Sequence, residues 1–436
     1  MHVPIIPRIA TPLVVLLVFS HSLLSAQQLS STRPRGDSLL TLEALVNKVV
    51  ATHPRVGAAT EAVRAARGSS RTARSWTNPT LIYQVENTGF PGGSTPVGLD
   101  REAATTATLP LEPIYQLRSR AAQAQAEVRA AEADLQSERR DVAVAAIDAF
   151  YETASAQVNV DAANETRMWL DSLVRYTRAR VNEGAAAEVD LIRLEVEMDR
   201  AETDLALARV DLANGRALVA AFAGTTSFRI DPAAIANSPP GISILPDIDA
   251  ITAIALRRRS DVVAADARLA AARSGVSIER NAVFRQVGLT TGMKSTAGTR
   301  SFIMGFTLPV PLFDQNRGEI ERADAQQRIA GFERATKERE VVAEVASAYA
   351  AVETLTAQLA KMNSGFLSRA EEARRIALGA YREGATPLRD VLDAARLLVE
   401  AREAYYRVVF ARQKSVIDLN AAIGADLLTS PLGEAR

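Results

Sequence analysis

The side chains that most often carry out catalysis or bind metals are scarce in this sequence. It contains no cysteine and three histidines, and two of these, His2 and His21, lie within the first 26 residues. With His53 as the remaining imidazole, we expect neither a Ser-His-Asp triad nor a histidine-based metal site within one chain. No glycine-rich phosphate loop follows a strand and opens a helix. The carboxylates are numerous but scattered along predicted helices, so we expect no enzyme and no cofactor.

The N-terminus has the pattern of an export signal. Arg8 provides a positive charge, residues 13–24 form a short apolar stretch, and Ser25 and Ala26 are small residues suited to a cleavage point. The alternative interpretation is a buried first helix. No other apolar run approaches the ~18 residues that a membrane helix needs. We predict a signal peptide over residues 1–26 and, because the chain has no cysteine, no N-terminal lipid anchor.

The longest element that the sequence predicts is a helix over residues 114–183. These 70 residues contain no glycine and no proline, and they are rich in Ala, Glu, Arg and Gln. Pro113 precedes the run, where a helix start tolerates proline, and Gly184 follows it, where a helix end favours glycine. Such a helix would be about 105 Å long. It is too polar to span a bilayer, so it is expected to form a coiled-coil strut.

The chain resembles itself at an offset of about 200 residues. Residues 183–185 (EGA) recur as residues 383–385, and the Leu-Pro pair at residues 109–110 recurs at residues 308–309. Two-residue periodicity predicts a pair of strands in each half. We therefore predict two structural repeats, the first spanning residues 27–236 (strands about 80–87 and 102–111, helical hairpin 114–222) and the second spanning residues 237–436 (strands about 286–294 and 301–310, helical hairpin 316–423).

Four strands per chain have consequences for assembly. They are too few to close a membrane barrel, for which bacterial examples start at ~8 strands, and left alone they would expose unpaired edges. Three copies would supply about twelve strands, enough to enclose a lumen. The expected fold is thus mainly α, with long coiled-coil hairpins forming a periplasmic α-barrel and four strands per chain contributing to a trimeric transmembrane β-barrel.

This layout resembles the TolC-like outer-membrane efflux proteins over essentially the whole mature chain. Four stretches carry the resemblance through their order: residues 40–45 (LTLEAL), 308–313 (LPVPLF), 381–386 (YREGAT) and 389–394 (RDVLDA). The resemblance implies a homotrimeric, passive conduit in the outer membrane with a periplasmic helical domain. It also implies docking on a periplasmic adaptor protein that is served by an inner-membrane pump.

The resemblance also assigns roles to particular residues. Acidic residues at the start of the returning helices would form rings at the periplasmic aperture, although carboxylates there also complement the helix dipole. The first hairpin has Arg193 where the second has Asp393. The implied site residues are Asp390, Asp393 and Asp190 at the aperture, Glu183, Gly184, Ala185, Glu383, Gly384 and Ala385 at the adaptor-docking tips, and Phe302, Met304 and Phe306 facing lipid.

The cargo and the class of protein have alternatives. Residues 308–318 are most similar to the CzcC-type branch of the family, which implies heavy-metal cations, whereas residues 114–118 (IYQLR) depart from the pattern of that branch. Drugs are the alternative cargo. The alternative functions are a periplasmic adaptor, which would carry one hairpin between β-rich halves, and a structural coiled-coil tether.

Overall fold

A computed structural model describes residues 38–88, 100–237, 245–284 and 286–427. The proposed signal peptide and most of the loop that follows the first predicted strand lie outside these residues. In chain order the described elements are β1 (Ser38–Leu39), α1 (Leu42–Thr52), α2 (Pro54–Ala73), β2 (Thr80–Glu86), β3 (Glu102–Pro110), α3 (Pro113–Asn182), α4 (Glu188–Ala223), β4 (Phe228–Arg229), α5 (Pro232–Ala236), α6 (Ile248–Arg258), α7 (Ser260–Asn281), β5 (Gly288–Thr296), β6 (Thr299–Thr307), α8 (Arg317–Asn363), α9 (Phe366–Arg382) and α10 (Leu388–Ile423).

The helix α3 is a single element of 70 residues. Pro113 occupies its first turn, where the missing N–H would have no intrahelical partner in any case. The chain leaves the helix at Gly184, whose φ of +72° is costly for a residue with a Cβ. Helix α4 then returns along α3, and the two form the first helical hairpin.

The second hairpin differs from the first because its outgoing helix is broken. The sequence places glycines at positions 331, 365 and 379, but the helix continues through Gly331 and Gly379 and stops only at Ser364 and Gly365. Gly365 has a φ of +103°, which ends α8, and α9 starts at the next residue. Arg369 caps the break by donating from its guanidinium to the Ser364 carbonyl at 3.1 Å. Gly331 and Gly379 both keep helical backbone, so a glycine alone does not end the helix here.

The order of elements occurs twice along the chain. Two helices, a β-hairpin, a long outgoing helix and a returning helix appear first as α1 to α4 and then as α6 to α10. Both returning helices have 36 residues, and each ends at a left-handed glycine, Gly224 or Gly424. Helix α5 and the parallel pair β1 and β4, in which Ser38 aligns with Phe228, have no counterpart among the described residues of the second half.

The largest apolar core lies midway along the helices. It joins α1, α3, α4 and α10 through fully buried side chains that include Phe150 and Val219. Burial raises the pKa of Tyr151 in this core to about 12. A second core joins α6, α8 and α10 around Ile251 and Val341. The C-terminal half of α10 is shared by both cores, so it ties the two repeats together.

The four longer strands form one antiparallel sheet in the order β2-β3-β5-β6. The β3–β5 pair joins the two halves, with Thr106 opposite Gly292. Strands β5 and β6 meet at a tight turn in which Ala297 and Gly298 both have positive φ. This turn places β6 at Thr299–Thr307, two to three residues earlier than predicted, and Pro309 lies beyond the end of the ladder because it has no N–H to donate.

Candidate functional site

The two hairpin tips have the same backbone geometry. In the first, the Ala185 N–H donates to the Arg180 carbonyl at 2.7 Å, and in the second the Ala385 N–H donates to the Ala380 carbonyl at 2.8 Å. Each bond spans a left-handed glycine, Gly184 or Gly384, so both tips are Schellman motifs. The six residues predicted at the tips, Glu183, Gly184, Ala185, Glu383, Gly384 and Ala385, are all exposed.

The tips of one chain lie side by side. A cluster that includes Leu173 of α3, Leu194 of α4, Tyr381 of α9 and Leu388 of α10 packs the ends of both hairpins together. Burying such side chains stabilises the contact by roughly 1.5–3 kcal/mol each. The Tyr381 hydroxyl lies 3.5 Å from the Thr177 hydroxyl inside the cluster. One chain therefore presents a double tip.

The three predicted aperture carboxylates have different surroundings. Asp390 is exposed and makes no ion pair with the described residues. Asp393 lies between two cations of its own helix, with carboxylate oxygens 3.7 Å from Arg389 and 3.8 Å from Arg396. Asp190, in the first turn of α4, is half-buried and likewise has no ion pair within the described chain. Asp390 and Asp190 therefore lack a paired cation among the described residues, whereas Asp393 has two, and Asp390 is the more exposed of the unpaired carboxylates.

Ion pairs that the sequence analysis missed tie the two hairpins together above the tips. Arg402 of α10 pairs with Glu165 of α3 and, at 3.2 Å, with Glu371 of α9. Nearer the tips, Arg396 pairs with Glu197 of α4. A signal for Arg402 did exist in the sequence, because it directly follows Ala401, which forms an apolar seam on α10 together with Val391 and Leu398. Charged residues flanking such a seam commonly pair between helices.

The sheet has two chemically different faces. Residues opposite each other in the ladder project to the same side, so Tyr83, Thr105, Met293 and Phe302 share a face. The apolar members of that face, most of them exposed, are Leu81, Tyr83, Val85, Leu109, Leu289, Met293, Phe302, Met304 and Phe306. The other face carries Ile82 and Ile303 but is otherwise small or polar, with Thr80, Gln84, Glu86, Glu102, Thr106, Thr108, Thr290, Gly292, Lys294, Thr296, Ser301, Gly305 and Thr307.

The described residues contain neither a clustered metal site nor a membrane-spanning helix. No group of three or more His, Cys, Asp or Glu side chains is placed to hold a metal ion. No helix in the part of the chain that the structure describes is both long enough and apolar enough to cross a bilayer.

Comparison with known proteins agrees with a channel built from helical hairpins and a two-faced sheet. The family model described as outer membrane efflux protein matches residues 45–225 and 252–425. The cobalt-zinc-cadmium resistance protein CzcC of Cupriavidus metallidurans is 26% identical over 397 residues, covering 88% of this chain and 90% of that protein. The cation efflux system protein CusC of Escherichia coli K12 is 26% identical over 180 residues, 39% of each chain.

Solved structures show the same fold. The outer membrane protein VceC of Vibrio cholerae superposes with a TM-score of 0.72 at 20% identity, covering 88% of this chain and 96% of that one. Because the family model matches most of the sequence, the chain belongs to the outer membrane efflux protein family. It is a transport protein of the TolC-like type, as the sequence analysis predicted, and its similarity to CzcC is consistent with the CzcC-type branch.

Proposed function

We propose that three copies of this chain form a passive conduit through which small solutes leave the periplasm across the outer membrane. The observation that carries the proposal is the sheet, which has an apolar face, a polar face and two outer edges, on β2 and β6, without a strand partner among the described residues. Edges of this kind are completed by other strands, and alternating faces suit lipid outside and water inside. The family assignment disfavours the alternatives of a periplasmic adaptor and a tether.

The proposed orientation follows from the faces of the sheet. Phe302, Met304 and Phe306 are 71%, 73% and 61% exposed in the single chain, and we assign them to the lipid-facing surface. The polar face then lines the lumen, and the helical hairpins extend into the periplasm. The exposed double tips would dock on a periplasmic adaptor protein, which an inner-membrane pump serves.

Divalent metal cations are the proposed cargo. CzcC, whose name refers to cobalt, zinc and cadmium, is similar to this chain over nearly its full length, whereas CusC matches over a shorter segment. Uncompensated carboxylates at the narrow end of the tube would favour cations over anions. We place Asp390 at this constriction, with Asp190 and Asp393 close to it.

The test is to extract the full-length protein from the outer-membrane fraction in detergent and measure its mass by light scattering, corrected for bound detergent. A mass near three chains, together with cation-selective conductance in a planar bilayer, is expected. A water-soluble monomer or dimer that is released without detergent and does not conduct would overturn the proposal.

A further inference from the structure

An amphipathic cleft lies where the helices meet the sheet, outside the sites described above. Helix α2 ends at Ala73, and Ile114 and Arg118 in the first turns of α3 are exposed. The cleft between them has a volume of about 690 Å³. This is within the range of about 300–1,000 Å³ that is typical of small-molecule sites. Its lining combines apolar and cationic side chains, including Trp76, Ile114, Leu117, Arg74 and Arg118.

The apolar wall of the cleft is unusually open to its surroundings. Trp76 is 52% exposed and Ile114 is 68% exposed. Both are close in sequence to the sheet, because β2 begins four residues after Trp76 and β3 ends three residues before Pro113. The wall therefore lies next to the sheet, on whose apolar face Leu81 is 73% exposed. Trp at such a boundary is typical of the interface between membrane and water.

The cationic part of the cleft has no carboxylate to neutralise it. The guanidinium of Arg74 donates to the neutral amide oxygen of Gln125 at 2.6 Å, so its charge is not compensated there. Arg118 is exposed and makes no ion pair with any described residue. Arg64 and Arg67, earlier on α2, pair with Glu61 and Glu132, so their charges are compensated. The local positive charge of the cleft therefore comes from Arg74 and Arg118, on a chain whose formal net charge is zero.

We propose that this cleft binds an anionic phospholipid of the outer membrane. Arg74 and Arg118 would hold the phosphate, since guanidinium groups match phosphate geometry well. An acyl chain would lie along Ile114, Leu117 and Trp76 and continue onto the apolar face of the sheet. The inference rests on the proposed function, because it needs the sheet to be inserted in lipid with that face outward.

The fluorescence of Trp76 can be used to test whether lipid occupies the cleft. The chain has two tryptophans, Trp76 and Trp169, and Trp169 lies far along α3 in the cluster near the tips. In a Trp169→Phe background, fluorescence therefore reports on the cleft alone. The full-length protein is reconstituted into vesicles of phosphatidylcholine with a minority of phosphatidylglycerol. Bromine, which quenches tryptophan on contact, is placed on the acyl chains of one lipid or of the other.

Brominated phosphatidylglycerol is expected to quench Trp76 about fivefold more strongly than its mole fraction in the vesicle would give without selection. A fivefold preference corresponds to the attraction of about one basic residue to an anionic lipid surface. Arg118→Gln, alone or with Arg74→Gln, is expected to remove this preference while leaving quenching by brominated phosphatidylcholine. Arg129→Gln is the matched control, because Arg129 is an exposed arginine about three turns further along α3. It should retain the preference.

Two results would overturn the inference while leaving the proposed function intact. Quenching by the two brominated lipids in proportion to their abundance would show that the cleft does not select the headgroup. No quenching by either lipid, in a protein that still inserts and conducts, would show that a second copy covers the cleft. If the protein neither inserts nor conducts, the proposed function itself fails, and the conductance measurement makes that outcome recognisable.

Discussion

Asp390 and Asp393 lie one helical turn apart, yet they differ in how their charge is compensated. Asp393 has Arg389 and Arg396 within 4 Å, whereas Asp390 has no ion pair among the described residues. Asp390→Asn is therefore expected to reduce the cation preference of the channel several-fold, and Asp393→Asn is expected to reduce it less. The measurement is the reversal potential of single channels in a potassium chloride gradient.

The control for this pair is Asp199→Asn, which removes an exposed carboxylate about two turns further along α4 than Asp190. It should leave the reversal potential close to that of the wild type. An equal or larger effect of Asp393→Asn would contradict the assignment of the constriction to Asp390.

Arg259 is the most deeply buried cation among the described residues, at 4% exposure. Its guanidinium pairs with Asp261 and with Glu344, both at 2.6 Å, and donates to the carbonyls of Ala421 and Ala422 at the end of α10. Arg259→Gln leaves Asp261 without its cation and is expected to cost about 2–4 kcal/mol in the free energy of unfolding. Denaturant titration in detergent, followed by circular dichroism, measures this loss.

The same residue predicts a pH dependence. Burial alone would raise the pKa of Asp261, but the hydrogen bonds and charge of Arg259 outweigh it and hold that pKa below its ordinary value of 3.8. The stabilisation is therefore present above that value and is lost as the pH falls through the lowered pKa. In Arg259→Gln, the loss of stability at low pH that comes from Asp261 should disappear. In Arg257→Gln, which changes an exposed arginine on α6, that loss should remain.

At the scale of single elements, Gly292 lies at a close contact between β3 and β5. A Cβ on Gly292 would lie 2.2 Å from the Thr105 carbonyl oxygen and 2.8 Å from the Thr106 Cα. Gly305, on the same face, has its nearest atom 4.0 Å from where its Cβ would be. Gly292→Ala must therefore shift the strands apart.

We expect Gly292→Ala to reduce the amount of folded protein in the outer-membrane fraction strongly, and Gly305→Ala to leave it nearly unchanged. Quantitative immunoblotting of membrane fractions, with total expression as the reference, compares the two variants. Equal levels would mean that the sheet accommodates the methyl group and that the β3–β5 contact is less rigid than the structure indicates.

The elements differ in how well the sequence alone predicts them. Helix α3 was predictable to within a residue at each end, because Pro113 and Gly184 act locally through backbone angles. The break at Gly365 was not, because nothing in the sequence separates it from Gly331 and Gly379. Strands β1 and β4 are two residues long and have no periodicity, so their pairing arises only when α1 and α4 pack together.

At the scale of the whole molecule, self-comparison predicted the repeated order of elements and the position of the tips. However, it also predicted that the two hairpins have the same helices, and they do not. The outgoing helix of the first hairpin is continuous, whereas that of the second is divided at Gly365. The proposed aperture carboxylates follow from the family resemblance, and their unequal surroundings became visible only with the positions of Arg389 and Arg396. Similarly, the partners of Arg259 and Arg402 come from distant segments, so spacing along the chain could not reveal them.

The two open edges of the sheet have a consequence for the kinetics of biogenesis. In the proposed trimer, we expect each chain to form its helical hairpins alone, in a first-order process, and the outer edges of β2 and β6 to pair only when chains associate. On dilution from denaturant into detergent, the helical circular dichroism signal should return at a rate that does not depend on protein concentration. The rate of trimer formation should instead increase more than proportionally with protein concentration. Trimer formation at a concentration-independent rate would contradict this. If it holds, a weakly expressed chain spends its early life as a helical monomer with unpaired strands, and the abundance of the channel depends on how long that monomer survives periplasmic proteases.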